Sequence, residues 1–244
     1  MTIFLTSSPS GPLDRSRIVD GFDKKNQFAD NLKKRWKQNS RCLMITAFPD
    51  NNEANDEMLQ FFRNTLEKEK FSYEAFDIWD RRTTDYSEQV LKSYDVIWLG
   101  GGHVPTENEF FHQIELKQKI VGFEGIIVGI SAGTMNSAEL VYAQPELEGE
   151  AIDPNYQRFL PGLGLTQTNI LPHYQMIKDE CLDGMRVFED ITYGDSMGRS
   201  FLALPDGSYL LIEDGKETVY GEAYIIADGK LEKICEEDQT VIWK

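Results

Sequence analysis

Cysteine is scarce in this chain. Cys42, Cys181 and Cys235 make an odd number, with no CxxC pair and no metal-type spacing. No disulfide framework is implied, and the thiols read as packing or incidental residues of a reducing compartment. Positive charge is short as well: 25 Lys and Arg stand against 41 Asp and Glu, a formal net charge of -16. A field of that sign repels phosphate backbones and anionic headgroups, so nucleic acid is not an expected partner. Long apolar runs are missing too. None approaches the roughly eighteen residues of a membrane span, and Met1-Thr2-Ile3-Phe4-Leu5 is too short an apolar start, without a basic lead, for a signal peptide. The expectation is a cytoplasmic protein with no membrane partner. Low complexity, internal repeats and linker-like stretches are also absent. With 41% hydrophobic and 27% charged residues the composition is that of an ordinary globular protein, so residues 1–244 read as a single domain.

What is present is an alternation. Apolar runs of strand length, Ile3 to Thr6, Arg41 to Thr46, Tyr73 to Trp79, Val96 to Leu99 and Gly125 to Ile130, precede segments of helical period at about 21–37, 51–69, 84–93, 105–122 and 132–142. That order predicts βαβ units and a mostly parallel sheet between helical layers, a three-layer α/β sandwich. In the second helix Met58, Phe61, Phe62 and Leu66 form a one-face stripe. The fourth opens with Pro105-Thr106-Glu107, proline in a first turn followed by an acid. Residues 143–164, rich in Pro, Gly and acids, read as a long surface loop of the kind that is often functional. A helix near 175–191 is expected next. From about 198 to 244, short strands around Asp214-Gly215 and Asp228-Gly229 predict an antiparallel β extension.

The sharpest chemical signal is Gly129-Ile130-Ser131-Ala132-Gly133, between the strand Gly125 to Ile130 and a helix. A strand that turns sharply into a helix holds a serine in a strained conformation, and glycines two residues to either side leave room for the neighbouring chains. Ser131 is thus a candidate nucleophile, with the Ala132 N–H at the helix start as an oxyanion donor. The plain alternative is a tight turn with an accidental serine. A serine nucleophile needs a base, and only His103, His112 and His173 are available. His112 falls inside a helix candidate. His173, in Ile170-Leu171-Pro172-His173-Tyr174, ends an apolar run at a strand terminus, where an open α/β sheet presents side chains to its ligand crevice. The orienting carboxylate is Asp206, at the close of Leu202-Ala203-Leu204-Pro205-Asp206-Gly207, or Asp153 in the preceding loop. Asp153 would give the Ser, Asp, His order of α/β-hydrolases, but there the histidine comes late, whereas about seventy residues follow His173. Gly100-Gly101-Gly102-His103 fits neither GxGxxG nor GxxxxGK[ST]. It reads better as a loop whose N–H groups face the reaction centre than as a phosphate cradle.

Taken in order, Gly-Gly-Gly after a strand, Gly-x-Ser-Ala-Gly, Pro-His-Tyr and Leu-Pro-Asp-Gly resemble the motifs of the peptidase E family of aspartyl dipeptidases, over roughly residues 40–210. The cyanophycinases are relatives, and the sheet is similar to the flavodoxin-like, class I glutamine amidotransferase fold. The resemblance implies a serine exopeptidase with Ser131 as nucleophile, His173 as base and Asp206 as acid. It also implies oxyanion donors from Gly101, Gly102 and Ala132, a small peptide or amide as substrate, and no metal or organic cofactor. Two positions depart from the pattern. His103 stands where the family usually has Asn, a candidate substrate contact. The Gly-Glu-Thr-Arg stretch that follows the family's histidine and bears on N-terminal aspartate is absent, which leaves Arg186 as the substrate-binding cation at a comparable distance. Other readings of the same residues are an esterase or amidase, or a catalytically silent small-molecule-binding relative.

Overall fold

The computed structural model describes residues 1–11 and 21–244. The first half runs β1 (Thr2–Thr6), α1 (Phe28–Lys33), β2 (Ser40–Ile45), α2 (Asn52–Lys68), β3 (Tyr73–Trp79), α3 (Glu88–Leu91), β4 (Val96–Leu99), α4 (Val104–Gln113), α5 (Leu116–Lys119), β5 (Ile126–Ile130) and α6 (Ala132–Asn136). The five strands lie parallel in the order β1, β5, β4, β2, β3. Their side chains alternate between two cores, as the period of a strand requires. Phe4, Cys42, Met44, Val96, Trp98 and Val128 meet α1 and α2 on one face. Ile3, Leu5, Leu43, Ile45, Ile97, Leu99 and Ile127 meet α3, α4 and α5 on the other. Because both faces are covered, the central strands are apolar nearly throughout rather than alternating with polar residues.

The second half continues with β6 (Leu140–Tyr142), β7 (Phe159–Pro161), β8 (Asn169–Leu171), α7 (Tyr174–Ile177), β9 (Cys181–Leu182) and β10 (Met185–Arg186). A π-helical turn, Val187–Thr192, leads into α8 (Tyr193–Asp195), β11 (Ser200–Ala203), β12 (Tyr209–Glu213), β13 (Lys216–Tyr220), β14 (Ala223–Ala227), β15 (Lys230–Cys235) and β16 (Thr240–Ile242). Strand β12 joins β1 antiparallel, and β13 and β16 extend that edge, giving an eight-stranded sheet. A second sheet, β15-β14-β11-β8, packs Ile170, Leu202 and Ala223 into the same core as Ile3 and Ile127. The expected C-terminal antiparallel extension is therefore present. One pairing differs: β8 and β11 run parallel, with Leu171 opposite Ala203.

Several expected helices are shorter or replaced. The segment 21–37 keeps only α1, because Asn26 and Gln27 take positive φ just before it. In α2 the buried face is Leu59, Phe62 and Leu66, with Met58 and Phe61 at its margin. Segment 84–93 narrows to α3, and 105–122 breaks at Glu115, whose φ of 53° separates α4 from α5. Segment 132–142 leaves helix at Asn136, and its second half pairs instead as β6 with β7, Val141 opposite Leu160 with its side chain fully buried. The helix near 175–191 gives way to α7, the β9-β10 hairpin and the π-helical turn. Asp183 and Gly184, both at positive φ, turn that hairpin, and such a dipeptide outweighs helical period locally. Among the described residues no helix is long and apolar enough to cross a membrane.

Candidate active site

Strands β1, β4 and β5 deliver their carboxyl ends to one place, and the side chains of interest lie just beyond them. Ser131 follows β5 with φ 49° and ψ -109°, a conformation that L residues rarely adopt. Two close approaches enforce it. A Cβ on Gly129 would lie 2.9 Å from Thr134 Cα, and one on Gly133 only 2.5 Å from the Leu99 carbonyl oxygen. The Ser131 N–H is tied to the end of β1 through the carbonyls of Thr6 and Ser7, at 3.1 and 3.2 Å. The glycine loop after β4 lies against the serine: a Cβ on Gly101 would sit 3.4 Å from Ser131 Cβ. Gly133 N–H donates to the Gly100 carbonyl at 2.9 Å, which locks loop and elbow together.

The second sheet supplies the other two groups. Because β8 and β11 are parallel neighbours, the residues just past their carboxyl ends, His173 and Asp206, come out side by side. His173 Nε2 is 2.8 Å from Ser131 Oγ, and His173 Nδ1 is 2.6 Å from Asp206 Oδ1. His173 has φ 57°, a second non-glycine residue in the left-handed region. Its ring is 19% exposed, whereas the Asp206 side chain is fully buried. Burial pushes the Asp206 carboxyl up. Hydrogen bonds from His173, Ser7 and Gln175, with the His173 charge, outweigh that and hold it below the usual carboxylate range.

Two of those donors carry no sequence motif. Ser7 Oγ donates to Asp206 Oδ1 at 2.6 Å and accepts the His173 N–H at 2.7 Å. Gln175 Nε2 donates to Asp206 Oδ2 at 2.6 Å, while its Oε1 accepts the Asp206 N–H at 2.9 Å. A signal for Ser7 exists in principle, since it directly follows an apolar strand whose carboxyl end faces the crevice. Gln175 had no such cue.

The remaining candidates separate. Gly102 lines the same cleft as Ser131 and His173, and Ala132 is the first residue of α6, fully buried. His103 has both ring nitrogens engaged, Nδ1 with Thr106 Oγ1 at 2.7 Å and Nε2 with Glu150 Oε1 at 2.8 Å. The other Glu150 oxygen accepts the N–H groups of Glu146 and Leu147, so His103 fastens the 143–164 segment to the glycine loop. Arg186 is not brought to the cleft. It is exposed on β10 and its guanidinium is held by Asp190 at 2.8 and 3.1 Å. Asp153 is exposed and accepts the N–H of Asn155, a local turn. His112 is exposed and bonds the Pro161 carbonyl. Among the described residues no group of three His, Cys, Asp or Glu side chains is placed to hold a metal ion.

Residues 19–220 match the model of peptidase family S51. None of the curated proteins matches the chain in sequence. Among solved structures, the crystal structure of a peptidase from an acI-B1 Actinobacterium is similar over 99% of this chain and 96% of that one, with TM-score 0.69 and 16% identity. A 1.5 Å crystal structure of a protein from Listeria monocytogenes EGD-e, provisionally described as peptidase E, is similar over 96% and 97%, with TM-score 0.52 and 14% identity. At such identities the likeness speaks for the fold, which agrees with the architecture above. The family match spans most of the chain and includes every motif from the glycine loop to Leu204-Pro205-Asp206-Gly207, so the chain belongs to peptidase family S51, the peptidase E family.

Proposed function

We propose that the protein is a serine-type exopeptidase that cleaves short peptides through an acyl-enzyme on Ser131. The observation that carries the reading is the chain of contacts Ser131 Oγ to His173 Nε2 and His173 Nδ1 to Asp206 Oδ1, built on a strained elbow. Ser131 Oγ attacks the scissile carbonyl carbon and its proton passes to His173 Nε2. The tetrahedral oxyanion is met by N–H groups of Gly101, Gly102 and Ala132. Collapse breaks the C–N bond, and the leaving amine takes the proton from His173. Water then attacks the ester, again giving a proton to His173, and releases the carboxylate product with Ser131 restored. Asp206, kept ionised, holds the Nδ1–H tautomer and stabilises the imidazolium.

Arg186, engaged by Asp190 outside the cleft, has no part in this reading, and with it goes the basis for selecting N-terminal aspartate. His103 is assigned to holding the loop rather than to proton transfer. The shared core of the two sheets supports one domain over the chain. Three free cysteines, two of them buried, fit a reducing compartment such as the cytoplasm. The test is labelling with a fluorophosphonate, which should modify Ser131 and no other serine. Ser131→Ala should abolish labelling and lower turnover by about 10⁶-fold. Unchanged turnover in the alanine variant would dismiss the serine mechanism, and an unlabelled, inactive parent chain would mark a silent binding protein.

A further inference from the structure

The cleft beside Ser131 is open to solvent, and among the described residues its wall carries carboxylates without a Lys or Arg. Glu146 and Glu180 line it together with His173, and the rest of the lining formed by the described residues is apolar or neutral. Glu146 faces this space from the loop that His103 and Glu150 pin to the glycine loop, so its position relative to Ser131 is fixed rather than wandering. One of its oxygens accepts the Val104 N–H at 3.2 Å, at the start of α4. Among the described residues no Lys or Arg forms an ion pair with it. The groups whose charge it feels are His103 and His173, which favour its ionised form, and Glu150, which opposes it. Protein surrounding the carboxyl nonetheless pushes it above the ordinary glutamate range, burial being the largest cause. A carboxylate held in a concave wall without a cationic partner costs free energy, and such costs concentrate where a ligand supplies the missing charge.

We propose that Glu146 is a specificity-determining residue that reads a cationic ammonium group on the substrate, next to the bond that Ser131 attacks. The inference rests on the serine peptidase reading of the same cleft. The ammonium has two possible sources, the free α-amino group of the first residue or a basic side chain on it. Glu180, after α7, also lines the cleft and adds to the negative field, but only Glu146 stands in the loop that His103 and Glu150 pin beside the glycine loop, so Glu146 is the residue committed to the contact. An acidic first residue would meet two like charges here instead of a partner.

The experiment compares kcat/KM for Lys-Leu, norleucyl-Leu, N-acetyl-lysyl-Leu and Asp-Leu, in the parent and in Glu146→Gln. Norleucine keeps the length and the α-ammonium but lacks the side-chain charge, while acetylation removes the α-ammonium alone. Glu146→Gln should lower kcat/KM by about 10- to 100-fold on whichever substrates carry the recognised ammonium, the range expected from one charge-assisted hydrogen bond. The same change should leave the fluorophosphonate labelling rate of Ser131 and the melting temperature in place, and Asp-Leu should be the poorest substrate of the parent. Loss on Lys-Leu and N-acetyl-lysyl-Leu but not on norleucyl-Leu assigns the contact to the side chain. Loss on Lys-Leu and norleucyl-Leu but not on the acetylated peptide assigns it to the α-ammonium. Equal kcat/KM in parent and variant on all substrates, with labelling intact, overturns the role of Glu146 alone. Failure of the parent to label at Ser131 overturns the peptidase reading and this inference with it.

Discussion

Replacing Asp206 by Asn changes one atom and one charge, and the surroundings decide which of two consequences follows. If the amide turned its oxygen toward His173, the Nδ1–H tautomer would survive and only the charge would be lost. A charge-assisted hydrogen bond is worth about 1.5–3 kcal/mol, so that outcome would cost about 10- to 150-fold in kcat. If the amide turned its NH₂ toward His173, the ring would carry its proton on Nε2, facing Ser131 Oγ, and could no longer accept the serine proton. That wrong-tautomer outcome costs about 10⁴-fold, or about 5.5 kcal/mol. Gln175 selects between them. Its Oε1 accepts the backbone N–H of residue 206 at 2.9 Å, which fixes its Nε2 as a donor aimed 2.6 Å from the position of Oδ2. An asparagine must therefore place its oxygen toward Gln175 and its NH₂ toward His173 and Ser7. The Ser7 hydroxyl, which already accepts the His173 N–H, can turn to accept that NH₂ as well.

The expected loss for Asp206→Asn is thus about 10⁴-fold in kcat. In the double variant with Gln175→Ala the donor that selects the orientation is gone, and the loss should shrink toward about 100-fold. Gln175→Ala alone should stay within about tenfold, because His173 and Ser7 still engage Oδ1. Single-turnover hydrolysis on a short peptide reads the three variants, and nitrogen chemical shifts of the His173 ring report the tautomer directly. Residual activity of Asp206→Asn within tenfold of the parent would refute the orienting role. A double variant as impaired as the single one would refute the assignment of Gln175 as the selector.

Two further perturbations test the scaffold beneath the site. Gly133→Ala places a methyl carbon 2.5 Å from the Leu99 carbonyl oxygen. It should destabilise the fold by about 1–3 kcal/mol in a denaturant titration and slow fluorophosphonate labelling together, and a variant as stable and reactive as the parent would mean that the close approach is not needed. Glu107, wholly buried, accepts the Asn136 amide with one oxygen, and desolvation drives its carboxyl well above the usual range despite that bond. Its proton is then bound in the folded chain and lost in the unfolded one above pH 4 to 5, so stability falls as pH rises through that window and beyond, by about 1.4 kcal/mol per pH unit until the folded group ionises. Glu107→Gln removes this dependence. The melting temperature of the variant should match the parent near pH 4.5 and exceed it increasingly toward pH 8, and a constant difference across that range would contradict a neutral Glu107.

How much of this was legible in the sequence follows from the range of the interactions. The parallel sheet was legible because strand period and two-sided burial act within five or six residues, as in Ile3 to Thr6 and Val96 to Leu99. The helical boundaries were not. Asn26, Gln27 and Glu115 adopt positive φ under tertiary demand; asparagine tolerates that region, but neither glutamine nor glutamate is a residue type whose identity announces it. The 132–142 segment has helical composition, yet its second half is captured by a strand partner twenty residues away.

The site divides along the same line, and the division bears on its chemistry. Ser131 can be read from five residues because the elbow is a local structure, dictated by Gly129 and Gly133 and by the strand before them. His173 and Asp206 are marked only as strand ends. What joins them is the parallel pairing of β8 with β11, and a motif search sees it only as a preserved order of Pro-His-Tyr and Leu-Pro-Asp-Gly. Gln175 and Glu146 have neither kind of signal, and Ser7 has only the strand-end one, since each acts across a separation that no local pattern encodes. Ser7 is the instructive one. It stands 124 residues before the serine beside which it lies, yet its carbonyl accepts the Ser131 N–H while its hydroxyl joins the His173 backbone to the Asp206 carboxylate. The end of β1 is therefore a common anchor for nucleophile, base and acid, which otherwise come from two different sheets. A geometry accurate to a fraction of an ångström needs such an anchor, and here a single residue provides it where the two sheets meet, its carbonyl holding the nucleophile and its hydroxyl the base and acid.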